Sequence, residues 1–291
     1  SFCFPIIGIV INISVGLMIG TSVAIARIIG AGEQEKAKKI ATNAVLLGVI
    51  IVALVSGLGI LSQAQLFRWL GAPEELLYIT NPDGTLENGV LIKYMTIWYV
   101  GAVFLIVPMM INGVLRASGD AKTPMNVMML AAIGNAILDP LLIFGWEGWF
   151  EGFQIEGAAY ATVISRAIGM IYASYIMLFR EKMIDVHIPT IKEFTDSTQI
   201  ILRVGIPATI TNVLGPIATA VLTSIVATFG APAVAAYGIG AKVESLVLIA
   251  PSALSSGLSP FVGQNWGAHF ECRVARGFRL SINFCKHITK K

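Results

Sequence analysis

Seven long apolar stretches dominate this sequence, and each is long enough to cross a lipid bilayer as an α-helix. Such a helix needs roughly 20 mainly apolar residues. In chain order, stretches A to G are Phe4–Ile29, Ile40–Leu61, Tyr94–Leu115, Pro124–Trp146, Gly157–Phe179, Gln199–Thr228 and Ala233–Val262. The period-2 alternation of membrane β-strands is absent. We therefore predict an all-α, polytopic membrane helix bundle.

The small share of charged residues excludes an ordinary soluble domain. Only 13% of the 291 residues are charged and 56% are hydrophobic, whereas soluble domains are about 25% charged. The three cysteines are scattered along the chain, so neither a disulfide framework nor a metal site is predicted. We expect the lipid bilayer to be the main partner.

Positive charges lie mainly at one end of the predicted bundle. Two basic residues, Arg68 and Lys93, lie between B and C, and two more, Arg166 and Lys242, lie inside spans E and G. The other sixteen lie in or beside the A–B, C–D and E–F connections or after G: Arg27, Lys36, Lys38, Lys39, Arg116, Lys122, Arg180, Lys182, Lys192, Arg203, Arg273, Arg276, Arg279, Lys286, Lys290 and Lys291. The positive-inside rule places these connections in the cytoplasm of a plasma (inner) membrane protein.

Two stretches of the chain resemble each other. Gly16–Lys39 aligns without gaps with Ala253–Arg276, and both end a span and enter a basic loop. Spans A and G are six crossings apart, so both copies run in the same direction. This pattern predicts two six-helix lobes related by an axis along the membrane normal. The alternative is a chance similarity of small-residue helix ends followed by basic loops.

The repeat predicts how the chain divides. We assign residues 1–180 to the first lobe, 181–198 to a cytoplasmic linker and 199–291 to the start of the second lobe. On this plan of twelve helices, the first helix and the last four are expected to lie outside the sequence. Residues 281–291 are expected to begin a further span.

The carboxylate of Asp139 lies within predicted span D, where a charge costs roughly 2.5–3.5 kcal/mol. Asp139 follows Asn135 by four residues, so both side chains leave the same helix face. Pro140 cannot donate to the carbonyl of Ala136. The Asp139 carboxylate, the Asn135 amide and the free Ala136 carbonyl offer oxygen ligands of the kind that Na⁺ prefers. A proton can replace the cation on the carboxylate. Thr162 lies at a matching depth in span E.

Arg166 lies one turn deeper than Thr162 and is a possible partner that holds Asp139 ionised. The alternative is that the two residues form an ion pair with a structural role only. Tyr94 and Asn112 in span C are 18 residues apart, or five helical turns, so they share a face, and both are candidates for a substrate cavity. Tyr94 is alternatively an interfacial anchor, and Asn112 a helix–helix hydrogen-bonding residue.

Spans F and G hold further polar residues. Lys242 and Glu244 are two positions apart and cannot pair well with each other, so each needs another partner. Both are candidates for the ion or substrate site, and an interlobe or structural ion pair is the alternative for Glu244. Asn212, together with Thr209 and Thr211, is a further candidate for lining the cavity, and the alternative is that these side chains bond to their own helix.

Six segments of the sequence resemble motifs of the MATE family, the multidrug and toxic compound extrusion transporters. The matching segments are GTSVAIARIIGAGEQEKAKK (20–39), LRASGD (115–120), NAILDP (135–140), GAAYATVIS (157–165), RVGIPATI (203–210) and SPFVGQNWGA (259–268). The resemblance implies a V-shaped, two-lobed antiporter that exports organic, often cationic, compounds in exchange for H⁺ or Na⁺. Asn135, Asp139 and Thr162 match family residues of the cation site, and Tyr94 and Asn112 match first-lobe cavity residues.

Two departures from the family stand out. In the family, the first helix normally supplies a second acidic residue to the site, and that helix is expected to lie outside this sequence. The second departure is the segment TNPDGTLENG (80–89) between B and C, which is additional. No phosphate-binding loop or metal-protease motif is present, and no basic-aromatic array for nucleic acid. We therefore expect no enzyme, no cofactor apart from the coupling ion, no nucleic-acid partner and a monomer. The alternatives are a lipid-linked oligosaccharide flippase of the same superfamily or a non-transporting scaffold.

Overall fold

The computed structural model describes residues 3–70, 72–80, 86–146, 150–184 and 189–288. Long helices dominate these ranges. They are α1 (Cys3–Gly30), α2 (Gln34–Trp69), α3 (Glu74–Leu77), α4 (Val90–Gly101), α5 (Val103–Ala117), α6 (Lys122–Phe144), α7 (Gln154–Tyr175), α8 (Ile191–Ala227), α9 (Ala231–Gly267) and α10 (Glu271–Ile288). A π-helical turn, Ile176–Arg180, extends α7. Within these ranges, seven helical segments are long and apolar enough to cross a membrane, which confirms the predicted bundle of seven spans.

Two short antiparallel hairpins were not predicted. β1 (Tyr78–Thr80) pairs with β2 (Leu86–Asn88), and β3 (Gly145–Trp146) pairs with β4 (Phe150–Glu151). The first hairpin flanks the Asn-Pro-Asp-Gly turn signal, which itself lies outside the described residues. Both hairpins connect helices at the end opposite the basic loops.

Span C is not one continuous helix. α4 ends at Gly101 and α5 begins at Val103, and the Ala102 amide donates to the Tyr99 carbonyl in a tightened turn. Pro108, inside α5, removes one further helical hydrogen bond. Tyr94, on α4, and Asn112, on α5, therefore lie on two helices rather than on one continuous helix.

The segments around the second lobe also differ from the predicted boundaries. α8 begins at Ile191, inside the predicted linker, because Thr190 and Glu193 form a reciprocal capping box. α10 begins at Glu271, ten residues before the predicted further span. Among the described residues, α10 is too polar to count as a span, since Arg273, Arg276 and Arg279 all lie on it.

The buried core lies mainly between α1, α2, α4 and α5. Its largest fully buried side chains include Ile25, Phe67, Met95, Ile106 and Leu115. By contrast, α6, α8 and α9 expose rows of Ile, Leu, Val and Met residues. Apolar surfaces of this kind suit contact with lipid or with further membrane helices.

The repeated segments meet each other at the crossing of α1 and α9. A side chain at Gly30 would overlap the Gln264 carbonyl, and a side chain at Gly267 would overlap the Arg27 carbonyl. In the alignment of the two copies, Gly30 corresponds to Gly267 and Arg27 corresponds to Gln264. The two contacts are therefore equivalent, and each becomes the other when the copies are exchanged.

A third contact locates the axis that relates the copies. A Cβ atom at Gly263 would lie 2.8 Å from the Cβ of Ala26, and these two residues are themselves equivalent in the alignment. Equivalent residues touch only near a two-fold axis. Because the spans that contain them are six crossings apart, α1 and α9 run in the same direction. This geometry is that of a parallel repeat.

The two copies also end their helices in the same way. The Glu33 amide donates to the Ile28 carbonyl, and the equivalent Phe270 amide donates to the Asn265 carbonyl. This bond closes a Schellman motif, which needs a residue with positive φ before it. Gly32 has φ +82° in the first copy, but His269 has φ +60° in the second.

Replacing His269 with glycine should therefore stabilise the protein by about 1 kcal/mol, because a left-handed conformation is costly for a residue with a Cβ atom. The measurement is the thermal unfolding midpoint in detergent. The reciprocal change Gly32→His is the matched control and should lower the midpoint by a similar amount. A lower midpoint for His269→Gly would contradict the proposed strain.

Candidate functional site

The predicted oxygen cluster forms where α6 and α7 run side by side. The Asn135 Nδ2 atom donates to Asp139 Oδ1 at 3.1 Å and to Thr162 Oγ1 at 3.4 Å. The Thr162 hydroxyl donates to the Ala158 carbonyl at 2.9 Å. The structure thus brings together the three residues predicted for the cation site. Their role in binding a cation remains a prediction.

Small residues allow α6 and α7 to approach closely enough for these bonds. A Cβ atom at Gly134 would lie 3.5 Å from Ser165 Oγ, and one at Gly169 would lie 3.5 Å from the Cβ of Ala131. Ser165 is buried and donates to the Ala161 carbonyl of its own helix at 2.6 Å. Small faces of this kind are typical of helix packing in membranes.

Arg166 does not form an ion pair with Asp139. Within the described ranges, no nitrogen of Arg166 lies within 4.0 Å of an Asp139 oxygen. Arg166 instead lines a cavity. The predicted direct partnership is therefore not observed, and the half-buried Asp139 has Asn135 as its hydrogen-bond donor.

A cavity of about 540 Å³ lies next to the cluster. Such a volume is typical of sites for small organic ligands. Its walls come from α1, α5, α6, α7 and α9: Val15, Met18, Phe104, Leu105, Pro108, Met109, Asn112, Arg116, Val127, Met128, Ala131, Ala132, Asn135, Thr162, Ser165, Arg166, Gly169 and Ser256. Four predicted site residues are among them: Asn112, Asn135, Thr162 and Arg166.

Asn112 and Tyr94, predicted to share the substrate cavity, have different surroundings. Asn112 is 5% exposed, and its side-chain oxygen has no hydrogen-bond partner among the described residues. Tyr94 is half-buried against the core and does not line this cavity. The structure therefore does not bring Tyr94 and Asn112 to the same wall of this cavity.

The second-lobe candidates lie away from this site. Lys242 and Glu244 are exposed on α9, and neither forms an ion pair within the part of the chain that the structure describes. Asn212 donates to the Ala208 carbonyl of its own helix at 2.9 Å. Thr209 and Thr211 similarly bond to carbonyls one turn earlier. These three side chains therefore bond to their own helix, which was the alternative to a role in lining the cavity.

Sequence reasoning missed Arg116 as a site residue. The positive-inside pattern assigned it to the cytoplasmic connection after span C. In the structure Arg116 lies in the last turn of α5, is half-buried and lines the cavity. The signal available in the sequence is its position four residues after Asn112, which places both on one helix face.

Polar contacts close the predicted cytoplasmic end of the bundle. Lys39 on α2 forms a salt bridge of 3.1 Å with Glu193 on α8, and Asn43 donates to Ser197 at 2.8 Å. The Gln264 side chain of α9 donates to the Ala117 carbonyl of α5 at 2.6 Å. These bonds join the first lobe to the second at the end where the basic loops lie.

Asp120 holds the loop before α6 in place. Its carboxylate accepts hydrogen bonds from the amide and hydroxyl of Thr123 and forms an ion pair with Arg180. Partial burial by itself raises the pKa of Asp120, but these bonds outweigh it and lower the pKa from 3.8 to about 2. The stabilisation is present above the ordinary value and is lost only as the pH falls toward 2. Asp120 therefore remains ionised at physiological pH.

The chain is similar in sequence to known proteins and in fold to solved structures. An FAD transporter of Shewanella oneidensis is 37% identical over 284 residues, which cover 98% of this chain and 60% of that protein. The multidrug export protein MepA of Staphylococcus aureus is 26% identical, covering 92% and 56%. A crystal structure of the Vibrio cholerae MATE transporter VcmN in the bent form superposes with a TM-score of 0.85 at 28% identity, covering 97% and 60%.

These comparisons identify the family but not the substrate. The chain spans about 60% of the length of the relatives it matches. The MatE family model matches residues 1–141 and 207–284, which is most of the chain and includes Asn135 and Asp139. The seven spans and the two-lobe repeat agree with the helical bundle of the MATE structures. This chain therefore belongs to the MatE family of membrane transporters.

Proposed function

We propose that this chain contains the ion-coupling part of a secondary antiporter that exports organic compounds in exchange for H⁺ or Na⁺. One observation carries the proposal. Asn135 lines the cavity and also donates to both Asp139 and Thr162. A substrate in the cavity and a cation at Asp139 would therefore act on the same amide group.

The chemistry of that amide suggests how the two ligands exclude each other. Its NH₂ group now faces the Asp139 carboxylate. A Na⁺ ion needs oxygen ligands, and a protonated carboxyl group is itself a donor, so either one favours the amide oxygen in that place. Binding of the cation would reverse the Asn135 amide and break its hydrogen bond to Thr162. The cavity wall would then change with the state of Asp139.

The lobe contacts support an arrangement closed toward the cytoplasm. The salt bridge of Lys39 with Glu193 and the bond from Gln264 to Ala117 both lie at the end with the basic loops. With the A–B, C–D and E–F loops in the cytoplasm, the cavity would release substrate outward. We propose a monomer in the plasma membrane that acts on small organic molecules, without nucleic acid and without a cofactor other than the coupling ion.

Two alternative functions predict different behaviour. A lipid-linked oligosaccharide flippase would move lipid without an ion gradient, and a scaffold would move neither lipid nor drug. A flippase needs a strongly cationic cavity for a pyrophosphate group, but only two basic residues, Arg166 and Lys242, lie within the predicted spans, and Lys242 is exposed on α9. Arg116, which also lines the cavity, strengthens the case for a negatively charged group in that space.

The test is transport by the full-length protein in proteoliposomes. H⁺ and Na⁺ gradients are imposed separately, and movement of ethidium and of FAD is followed by fluorescence. We expect one gradient to drive transport and an ionophore that dissipates it to stop transport. Lipid movement without a gradient would favour the flippase. Equal substrate movement with and without gradients would contradict ion coupling.

A further inference from the structure

We propose that the cavity binds an organic anion, with a phosphate or carboxylate group held by Arg116 and Arg166. This inference rests on the proposed transport function and names the substrate class. It reverses the charge expected from the family resemblance, which implied organic, often cationic, compounds. Arg116 reaches the cavity from α5 and Arg166 from α7, and both side chains are half-buried.

Among the described residues that line it, the cavity has two arginines and no Asp or Glu, and therefore a net positive charge. Neither guanidinium group forms an ion pair with a described residue. Asp139 lies beyond Asn135 and is not part of the lining. An organic cation in this space would meet two like charges.

Uncompensated cations inside a membrane protein are costly, so they usually mark a ligand or ion site. Walls of low dielectric constant focus the field of charges of one sign and attract ligands of the opposite sign. Guanidinium groups present several N–H donors in a plane, which match the oxygens of phosphate and carboxylate. Arg116 and Arg166 therefore have the chemistry required for an anionic head group.

The remaining wall indicates what the rest of the ligand contains. Met18, Phe104, Met109 and Met128 supply apolar surface that can contact a ring system. The buried Asn112 oxygen is an acceptor without a partner among the described residues. It requires an N–H or O–H donor from the ligand or from water. The best match is an anion that carries a flat apolar group and a hydroxyl or amide donor.

A structural role for the arginines makes a different prediction. Arg116 lies at the C-terminus of α5, where a positive charge interacts favourably with the helix dipole and with the cytoplasmic side of the membrane. In that case its replacement would alter stability without changing the preference for ligand charge. Binding measurements that vary only the ligand charge distinguish the two roles.

The experiment measures binding to the full-length protein in lipid nanodiscs. The probes are FAD and riboflavin, which share a ring system but differ in the charged pyrophosphate, together with ethidium as an organic cation. We expect FAD to bind at least tenfold more tightly than riboflavin or ethidium. We expect Arg116→Gln and Arg166→Gln each to weaken FAD binding by about 10- to 100-fold and to leave riboflavin binding unchanged.

Matched variants and a competitor make the result specific. Arg203→Gln removes a guanidinium from an exposed position on α8, outside the cavity lining, and should leave FAD binding unchanged. Inorganic pyrophosphate should compete with FAD on the unaltered protein, which requires no variant to fold. Tighter binding of ethidium than of FAD, equal binding of FAD and riboflavin, or unaltered FAD binding in both glutamine variants would overturn the proposal.

This binding assay needs no ion gradient, so its outcome is separate from that of the proposed antiport. Gradient-driven transport of ethidium without FAD binding would support the antiporter and refute the anion site. Charge-selective FAD binding without gradient-driven transport would support the anion site and refute the antiporter.

Discussion

Asp139→Asn should reduce gradient-driven export to the level seen without a gradient. Asparagine has almost the same shape as aspartate but can neither bind and release a proton nor balance the charge of Na⁺. Asn135 can still donate to the new amide oxygen at this position, as it now donates to Asp139 Oδ1. The packing of α6 against α7 should therefore survive. The measurement is transport in proteoliposomes, with the amount of folded protein checked by size-exclusion chromatography.

The matched control for this variant is Asp196→Asn. Asp196 is exposed near the beginning of α8, so this change removes the same charge without altering the cluster. It should transport at the normal rate. If Asp139→Asn also retains full gradient-driven export, Asp139 is not the coupling carboxylate.

Asp120, in the loop before α6, has a pKa of about 2 and does not titrate between pH 5 and 8. A change of transport rate in that pH range would therefore not arise from Asp120.

Leucine at Gly30 or at Gly267 should separate the two lobes where α1 crosses α9. A side chain at either position would overlap a backbone carbonyl of the opposite helix, that of Gln264 or that of Arg27. Overpacking of this kind costs about 1–3 kcal/mol and sometimes more. Because the two contacts are equivalent, we expect both variants to lower the unfolding midpoint by similar amounts.

Gly57→Leu is the control for the lobe-crossing variants. Gly57 lies on an exposed part of α2, with no other atom close to the position that a Cβ atom would occupy. Leucine also has a higher helix propensity than glycine. The midpoint should therefore remain the same or rise. A midpoint for Gly30→Leu equal to that of Gly57→Leu would show that the close crossing does not contribute to stability.

The spans and the ion cluster were predictable from sequence for simple physical reasons. Hydrocarbon requires long apolar helices, so length and composition located all seven spans. Helical periodicity placed Asn135 and Asp139 on one face, and counting residues from the span ends brought Thr162 to the same depth. The hydrogen bonds between these residues depend only on that regular geometry.

The remaining features depend on tertiary packing, which a pattern in one helix does not contain. Tyr94 and Asn112 have a spacing that suits one straight helix, but the helix is interrupted at Ala102 and only Asn112 lines the cavity. Arg116 has the sequence context of a loop charge, yet the neighbouring helices make it part of a cavity wall. The early start of α8 was readable from the Thr190–Glu193 capping box, but the charged residues there suggested a linker.

The central claim is that Asp139 binds and releases small cations, and that the Asn135 amide reverses with this exchange and so changes the cavity wall. Infrared difference spectroscopy on the full-length protein with isotope-labelled aspartate observes that carboxyl group directly. Adding H⁺ or Na⁺ should change a carboxyl band that is absent in Asp139→Asn, and adding a transported substrate should reverse the change. An Asp139 band that is unaffected by both cations, with and without substrate, would contradict the account.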